Sequence, residues 1–351
     1  MANESVNLKR MVIDNATAAA FYDIVSKGER FVIIGHINPD GDCIGSTTGM
    51  RNWLELSLGK KNVNIVVPNE FPNFLNFLDI GGRILAHSAE GAKAESLVKS
   101  ADVIICMDFN TLKRTEALQQ IIAEAKGAKV LIDHHPQPEH FADLTISFTE
   151  ISSASELTWW LVSKVSETHN LPLPIELCTS LYTGMMTDTN NFNNSVFSST
   201  FMMASQLQQR GVEREKIQFA VFNNYSEDRM RLMGYLLLNK LRVFQDLNAS
   251  IMVLSRQEQK RFNYRDGDSE GFVNLALSIA DVEVASLFTE TDEYIKVSLR
   301  SKGRLSVNSL SRAYFNGAGH ERASGGRLYI PVEQVEGYFE ESLRSFLASN
   351  K

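Results

Sequence analysis

Cysteine is scarce in this chain: Cys43, Cys106 and Cys178 are three among 351 residues, widely spaced and without a CxxC pair. So few thiols, in odd number, exclude a disulfide scaffold and fit a reducing compartment. No apolar run approaches the roughly 20 residues that a membrane-spanning helix needs. No basic-then-apolar leader opens the sequence, so the expected location is the cytoplasm and no membrane is expected as partner. Internal repeats, low-complexity tracts and a Pro/Gly/Ser-rich linker are missing too. A surplus of basic charge is also absent. Lys and Arg number 35 against 42 Asp and Glu, a formal net charge of -7, which argues against a general nucleic-acid coat protein. A short phosphorylated substrate stays compatible with that balance, because a local basic patch suffices for it. Apolar content of 44% with 22% charged residues is that of an ordinary globular protein.

What is present centres on Gly35-His36-Ile37-Asn38-Pro39-Asp40-Gly41-Asp42-Cys43-Ile44-Gly45-Ser46. The apolar run Phe31–Ile34 leads in and a helical pattern from Ile44 to about Leu58 leads out. One imidazole and two carboxylates therefore occupy a tight strand-to-helix loop. Turn and N-cap preferences of Asp, Asn, Gly and Pro explain such a loop without any ligand. Divalent cations favour the same mixture of oxygen and nitrogen donors. Cys43 is expected as a small buried thiol on the first helical turn.

Downstream the pattern recurs. The apolar strand Val103–Met107 ends at Asp108, and the strand Ala128–Ile132 runs into Asp133-His134-His135-Pro136. Helices expected near 14–27, 90–100 and 115–125 separate the strands, which implies crossovers and a parallel sheet with both faces covered. In such sheets ligands gather beyond the carboxyl ends of the strands, where His36, Asp40, Asp42, Asp108 and Asp133-His134-His135 all fall. Ser153-Ala154-Ser155-Glu156 is a capping-box pattern opening another helix, and a further helix from Pro174 ends near Asp188. Trp159 and Trp160 read as packing residues. Length favours two domains. The expected division is 1–197 for a catalytic domain, 198–242 for a helical connector broken at Gly211, and 243–351 for a smaller α/β domain with a mixed sheet. Arg265-Asp266-Gly267-Asp268 reads as a turn in that last part.

His36-x-x-x-Asp40-x-Asp42, Asp108, Asp133-His134-His135 and Asp188, in this order, resemble the motifs of the DHH phosphoesterase superfamily. Gly317-Ala318-Gly319-His320, followed by Glu321-Arg322-Ala323-Ser324-Gly325, resembles the glycine-rich signature of its DHHA1 domain. Size and layout are most similar to the NrnA-type group, oligoribonucleases that degrade very short RNA and are also pAp phosphatases. The resemblance implies a two-metal site with Mn²⁺ as the expected ion. His36, Asp40 and Asp108 would hold one ion; Asp42, Asp108, His134 and Asp188 would hold the other. Asp133 would orient its neighbours and His135 would face the phosphate, which makes His135, Asp108 and Asp133 the catalytic candidates. Paired cations acidify water and neutralise charge that builds on an in-line transition state.

Six basic residues between 300 and 327 (Arg300, Lys302, Arg304, Arg312, Arg322 and Arg327) face one acid, Glu321, a local reversal of sign. Arg300, Ser301, Gly317, Gly319, His320 and Arg322 are the substrate-binding candidates, with Arg300 and His320 foremost; several of the other cations are expected to be solvated surface residues. Ala318 stands where relatives carry glycine, and a positive φ there would make its Cβ costly. The expected activity is hydrolysis of short RNA to mononucleotides, of the 3′-phosphate of pAp, or both. A phosphodiesterase for linear dinucleotides such as pApA and a catalytically silent nucleotide sensor are the alternatives. No stable protein partner is implied, and a monomer or homodimer is expected.

Overall fold

The computed structural model describes residues 13–349 except 224, 266 and 304, so Asp266 and Arg304 lie outside the described residues. The chain divides into two compact units, Met1–Asn224 and Tyr225–Lys351.

In the first unit, strands β1 (Arg30–Ile34), β2 (Asn62–Val67), β3 (Ile84–Ala86), β4 (Val103–Met107), β5 (Ala128–Asp133) and β6 (Leu144–Ser147) form one sheet in the order β3-β2-β1-β4-β5-β6. Every pairing is parallel. Alternation of side chains explains the two layers of helix. Phe31 and Ile33 of β1 join one buried cluster with Phe21, Ile44 and Trp53, whereas Val32 and Ile34 join another with Ala94, Val98 and Ile122. The helices of this unit are α1 (Asn15–Lys27), α2 (Gly41–Leu56), α3 (His87–Ser100), α4 (Gln119–Glu124), α5 (Ala154–His169), α6 (Ile175–Asp188), α7 (Ser198–Gln209) and α8 (Arg214–Phe222). Asp14 starts α1 by accepting the N–H of Thr17 at 2.7 Å, and Gly28 ends it. The helix expected over 115–125 is shorter, because Glu116 takes φ 50° and leaves a 3-10 turn, Leu112–Leu118, ahead of α4.

The chain goes from β1 outward to β2 on one side and returns to β4 on the other. The loops after β1 and β4 therefore flank the point where strand order reverses, the crevice where doubly wound sheets bind ligands.

The second unit holds β7 (Arg242–Phe244), β8 (Ala249–Leu254), β9 (Val284–Glu290), β10 (Ile295–Ser301), β11 (Ala318–Gly319) and β12 (Ala323–Leu328), ordered β11-β12-β10-β9-β8-β7. This sheet is mixed: β8 and β9 are parallel and the other pairs antiparallel. Its helices are α9 (Glu227–Tyr235), α10 (Arg256–Arg261), α11 (Phe272–Leu277), α12 (Val307–Tyr314) and α13 (Val335–Ser349). Residues 198–242, expected as a connector, are shared out: α7 and α8 fall in the first unit, α9 in the second. Gly211 breaks the helical run between α7 and α8 at φ 96°. No described helix is long and apolar enough to cross a membrane.

Candidate metal centre

The loop after β1 places His36 and Asp40. His36 Nδ1 lies 2.8 Å from the carbonyl of Ile37, which can only accept, so Nδ1 carries a proton and Nε2 is the nitrogen turned to the carboxylates. That Nε2 stands 3.3 Å from Asp108 Oδ2 and 3.8 Å from Asp40 Oδ1. Asp40 caps α2 through Oδ1, which accepts the N–H groups of Asp42 and Cys43 at 3.1 Å each.

Asp42, on the first turn of α2, is buried against the start of α5. Its Oδ2 accepts from Ala154 N at 2.6 Å and its Oδ1 from Ser155 N at 2.9 Å. Two amides at a helix N-terminus thus fix a carboxylate that has lost its water. Ser153 caps α5 by accepting from Glu156 N, while the buried Glu156 carboxylate takes the amide of Ser152 and the hydroxyl of Thr200.

Glycines set the approach of α6. A Cβ on Gly45 would stand 2.7 Å from the backbone of Gly184, and one on Gly49 would meet the side chain of Leu181. With Gly41, these residues form a seam at four-residue spacing on α2, against which α6 lies close enough to bring Asp188 to the centre. That spacing was legible in the sequence as a helical stripe and is the signal a reading centred on charged residues passes over.

Asp108 follows β4 with φ 63°, an uncommon conformation for a residue with a side chain. Its two oxygens face two imidazoles: Oδ2 faces His36, and Oδ1 lies 3.4 Å from His134 Nε2. His134 Nε2 is in turn 3.5 Å from Asp188 Oδ2 and 3.8 Å from Asp42 Oδ2. Ligand atoms of His36, Asp40 and Asp108 all lie within 4.8 Å of one another, as do those of Asp42, Asp108 and His134.

Electrostatics show what this cluster lacks. Burial raises the Asp42 carboxyl well above its ordinary range, and the neighbouring Asp108 and Asp188 raise it further. Burial acts the same way on Asp108, but its two imidazole neighbours overturn the effect and hold it well below the usual range. His134 is pushed up to about 10: burial opposes its charge, and Asp108, Asp188 and Asp42 more than compensate. His36 Nε2 and Asp108 Oδ1 are buried with no hydrogen-bond partner. An unpartnered imidazole nitrogen and carboxylate oxygen, converging in a buried anionic pocket, fit divalent cations.

Beside them, His135 Nδ1 lies 2.8 Å from Asp133 Oδ1, and Asp133 is raised to about 7, first by burial and then by Asp108. On its other side, His135 Nε2 lies 3.1 Å from Nη1 of Arg114, a residue that no sequence motif singles out. Cys43 is buried under the loop, outside these ligand groups, and Phe109 is buried, stacked on Phe141.

In the second unit, the glycine-rich segment is a hairpin, β11 to β12, turned at His320–Ala323 by the 2.8 Å bond from His320 N to Ala323 O. Gly317 has no room for a side chain, since a Cβ would meet Gly325 O and Ser311 Oγ. Gly319 adopts φ 150°, where a Cβ would also stand 2.6 Å from Ala323 O. Ala318 is exposed and is not among the described residues with positive φ, so its Cβ fits without strain. Arg300 lies on β10, directly opposite Ala323, and Arg322 is exposed in the hairpin turn. The Ser301 hydroxyl donates to Leu305 O at 2.7 Å. Three of the other basic residues are engaged locally. Lys302 Nζ donates to the carbonyls of Leu277, Ile279 and Ala280 at the end of α11, Arg312 bonds Asn308, and Arg327 lies over the ring of Tyr294.

Acidic and imidazole groups at the carboxyl edge of a parallel sheet, followed by a separate mixed-sheet unit, define a two-domain α/β architecture of hydrolase type. The family model of the DHH family, N-terminal domain, matches residues 30–185, and that of the DHHA1 domain matches residues 247–348. A solved structure from Bacteroides fragilis, described as an exopolyphosphatase-related protein, is 40% identical, with a TM-score of 0.89 over 95% of this chain and 97% of that one. The chain belongs to the DHH phosphoesterase superfamily and carries its DHHA1 domain. It is also 27% identical to the bifunctional oligoribonuclease and PAP phosphatase NrnA of Bacillus subtilis, over 87% of this chain and 91% of that relative. RecJ from Thermus thermophilus, solved with Mn²⁺, shares the fold at 12% identity and a TM-score of 0.54, covering 95% of this chain and 54% of that longer one.

Proposed function

We propose that this protein hydrolyses phosphoesters of very short oligoribonucleotides and of pAp, using two divalent ions of which Mn²⁺ is the best suited. The observation that carries the reading is the pair of ligand sets that share Asp108: His36, Asp40 and Asp108 on one side, Asp42, Asp108 and His134 on the other. Asp188, 3.5 Å from His134, completes the second set. Bound there, the ions would supply Lewis acidity to the phosphate and lower the pKa of water. The chain's own part is to hold donors in place before substrate arrives. The Ile37 carbonyl fixes the tautomer of His36, the start of α5 fixes Asp42, and the backbone at residue 108 aims one carboxylate at two imidazoles.

Asp133 keeps a proton on Nδ1 of His135 and leaves Nε2 as the atom where a proton is exchanged. As the water oxygen bonds to phosphorus, that nitrogen takes up the proton the water loses. It returns the proton to the leaving oxygen as the ester P–O bond breaks. Arg300, Ser301, Gly317, Gly319, His320 and Arg322 are the proposed contacts for the rest of the nucleotide. The named activity of the Bacillus subtilis relative supports the substrate class.

Product analysis with di- and trinucleotide RNA, pAp, pApA and a long RNA in Mn²⁺ tests this. Mononucleotides or free phosphate should appear fastest from the short substrates. No product from any of them in Mn²⁺, Mg²⁺ or Co²⁺ would overturn the hydrolase reading, and preference for the long RNA would overturn the substrate class.

A further inference from the structure

Arg114 lies in the 3-10 turn that follows β4, and two bonds tie it to the site. Its carbonyl accepts the N–H of Ile37, in the loop of His36 and Asp40, at 2.8 Å. Its guanidinium Nη1 lies 3.1 Å from His135 Nε2. A guanidinium only donates, so Nε2 accepts, in keeping with a proton on the Nδ1 that bonds Asp133. Among the described residues Arg114 forms no ion pair, although Asp133 and Asp108 are both within contact distance of the ring it touches. Its other N–H groups have no partner among those residues. A half-buried cation at the rim of an acidic cluster, bonded to a neutral ring and to no carboxylate, keeps its charge for an incoming anion.

We propose that Arg114 contacts the substrate: its guanidinium takes a non-bridging oxygen of the scissile phosphate in exchange for its bond to His135 Nε2. A phosphate oxygen is the stronger acceptor of the two, and the planar fork of arginine matches it. This rests on the phosphoester-hydrolase reading above. Every substrate presents a scissile phosphate, so the contact is indifferent to the attached nucleoside.

The test compares wild type with Arg114→Gln and Arg114→Lys as full chains loaded with Mn²⁺. For Arg114→Gln, kcat/KM should fall on the order of ten- to a hundredfold with both a dinucleotide and bis(p-nitrophenyl) phosphate. Mn²⁺ affinity, followed by calorimetry, should stay unchanged, and Arg114→Lys should recover part of the rate. Wild type should prefer one of the Rp and Sp phosphorothioate dinucleotides, and the variants should lose part of that preference, because one of the two oxygens has lost its partner. Unchanged kinetics, or equal loss on both diastereomers as a mere brace for His135 would give, overturns the proposal. Should Arg114→Gln lose its far-ultraviolet circular dichroism, the diastereomer ratio of Arg114→Lys decides. An inactive wild type would overturn the hydrolase reading itself, and this inference with it.

Discussion

The two units use opposite means. In the first, charge is buried: His36, Asp42, Asp108, Asp133 and His134 are each at most 4% exposed. Such groups are held apart from water only because strand ends, a helix start and one another surround them. In the second, the groups proposed to meet substrate lie on a glycine-rich hairpin and one strand shaped by their backbone, where Arg300 and His320 are half-buried and Arg322 is exposed. Buried carboxylates are suited to fixing cations and the planar fork of arginine to handling phosphates. The contrast matches the proposed division between the chemistry and the choice of substrate, and it can be broken at either end.

The largest effect belongs to the shared carboxylate. Asp108→Asn keeps a side chain that tolerates positive φ but removes the charge common to both ligand sets. Activity in saturating Mn²⁺ should fall by several orders of magnitude while the far-ultraviolet circular dichroism of the variant stays that of wild type; retention within tenfold would undo the shared role. His320→Ala should cost about 1.5–3 kcal/mol in kcat/KM on nucleotide substrates, the value of a charge-assisted contact. It should leave Mn²⁺ binding and bis(p-nitrophenyl) phosphate turnover near wild type. Equal losses on both substrates would dissolve the division between the units.

A third prediction concerns pH in the metal-free protein. His134 stands at about 10 against an ordinary 6.5, and Asp133 at about 7 against 3.8. Both are raised, so the folded state binds more protons than the unfolded one. The contribution of His134 is complete below 6.5 and is lost as pH rises through about 10, and that of Asp133 is complete below 3.8 and lost through about 7. Denaturant midpoints in chelator should therefore fall between neutral and alkaline pH, and His134→Asn should flatten that slope. Saturating Mn²⁺ should oppose the fall, because a ligand imidazole must be deprotonated. A midpoint that is level with pH in chelator would contradict the protonation assigned here. The smallest effect is at the hairpin: Ala318→Gly should shift stability by less than about 0.5 kcal/mol, as exposed, unstrained positions do. A larger change would mean that its Cβ contributes packing.

Much of the first unit was legible because fully apolar runs such as Val103–Met107 end abruptly at acidic or imidazole residues, and parallel topology sends all such ends to one edge. The short strands β3 and β6 were not, having three and four residues with little alternation. Strand β12 was hidden differently. Ala323-Ser324-Gly325-Gly326 reads as loop, yet its glycines are there because a Cβ on Gly326 would meet Phe315 O in the strand's close packing. Arg114 left no trace in the sequence, since it reaches His135 from a 3-10 turn held by its own bonds to Thr111 and Ile37 and no motif marks it.

The glycine seam of α2 gives the centre a reach longer than its chemistry. From Gly41 to Gly49 it extends about 12 Å along the helix, and at its far end Gly49 faces Leu181 and Ser180. A methyl group added at Gly49 would push on Leu181 and lever α6 outward, carrying Asp188 away from His134. In a screen of variants, such a change would register as a failure to retain cations, although every donor atom had been left intact. The seam acts as a caliper, and its setting is inherited by whatever the pocket holds.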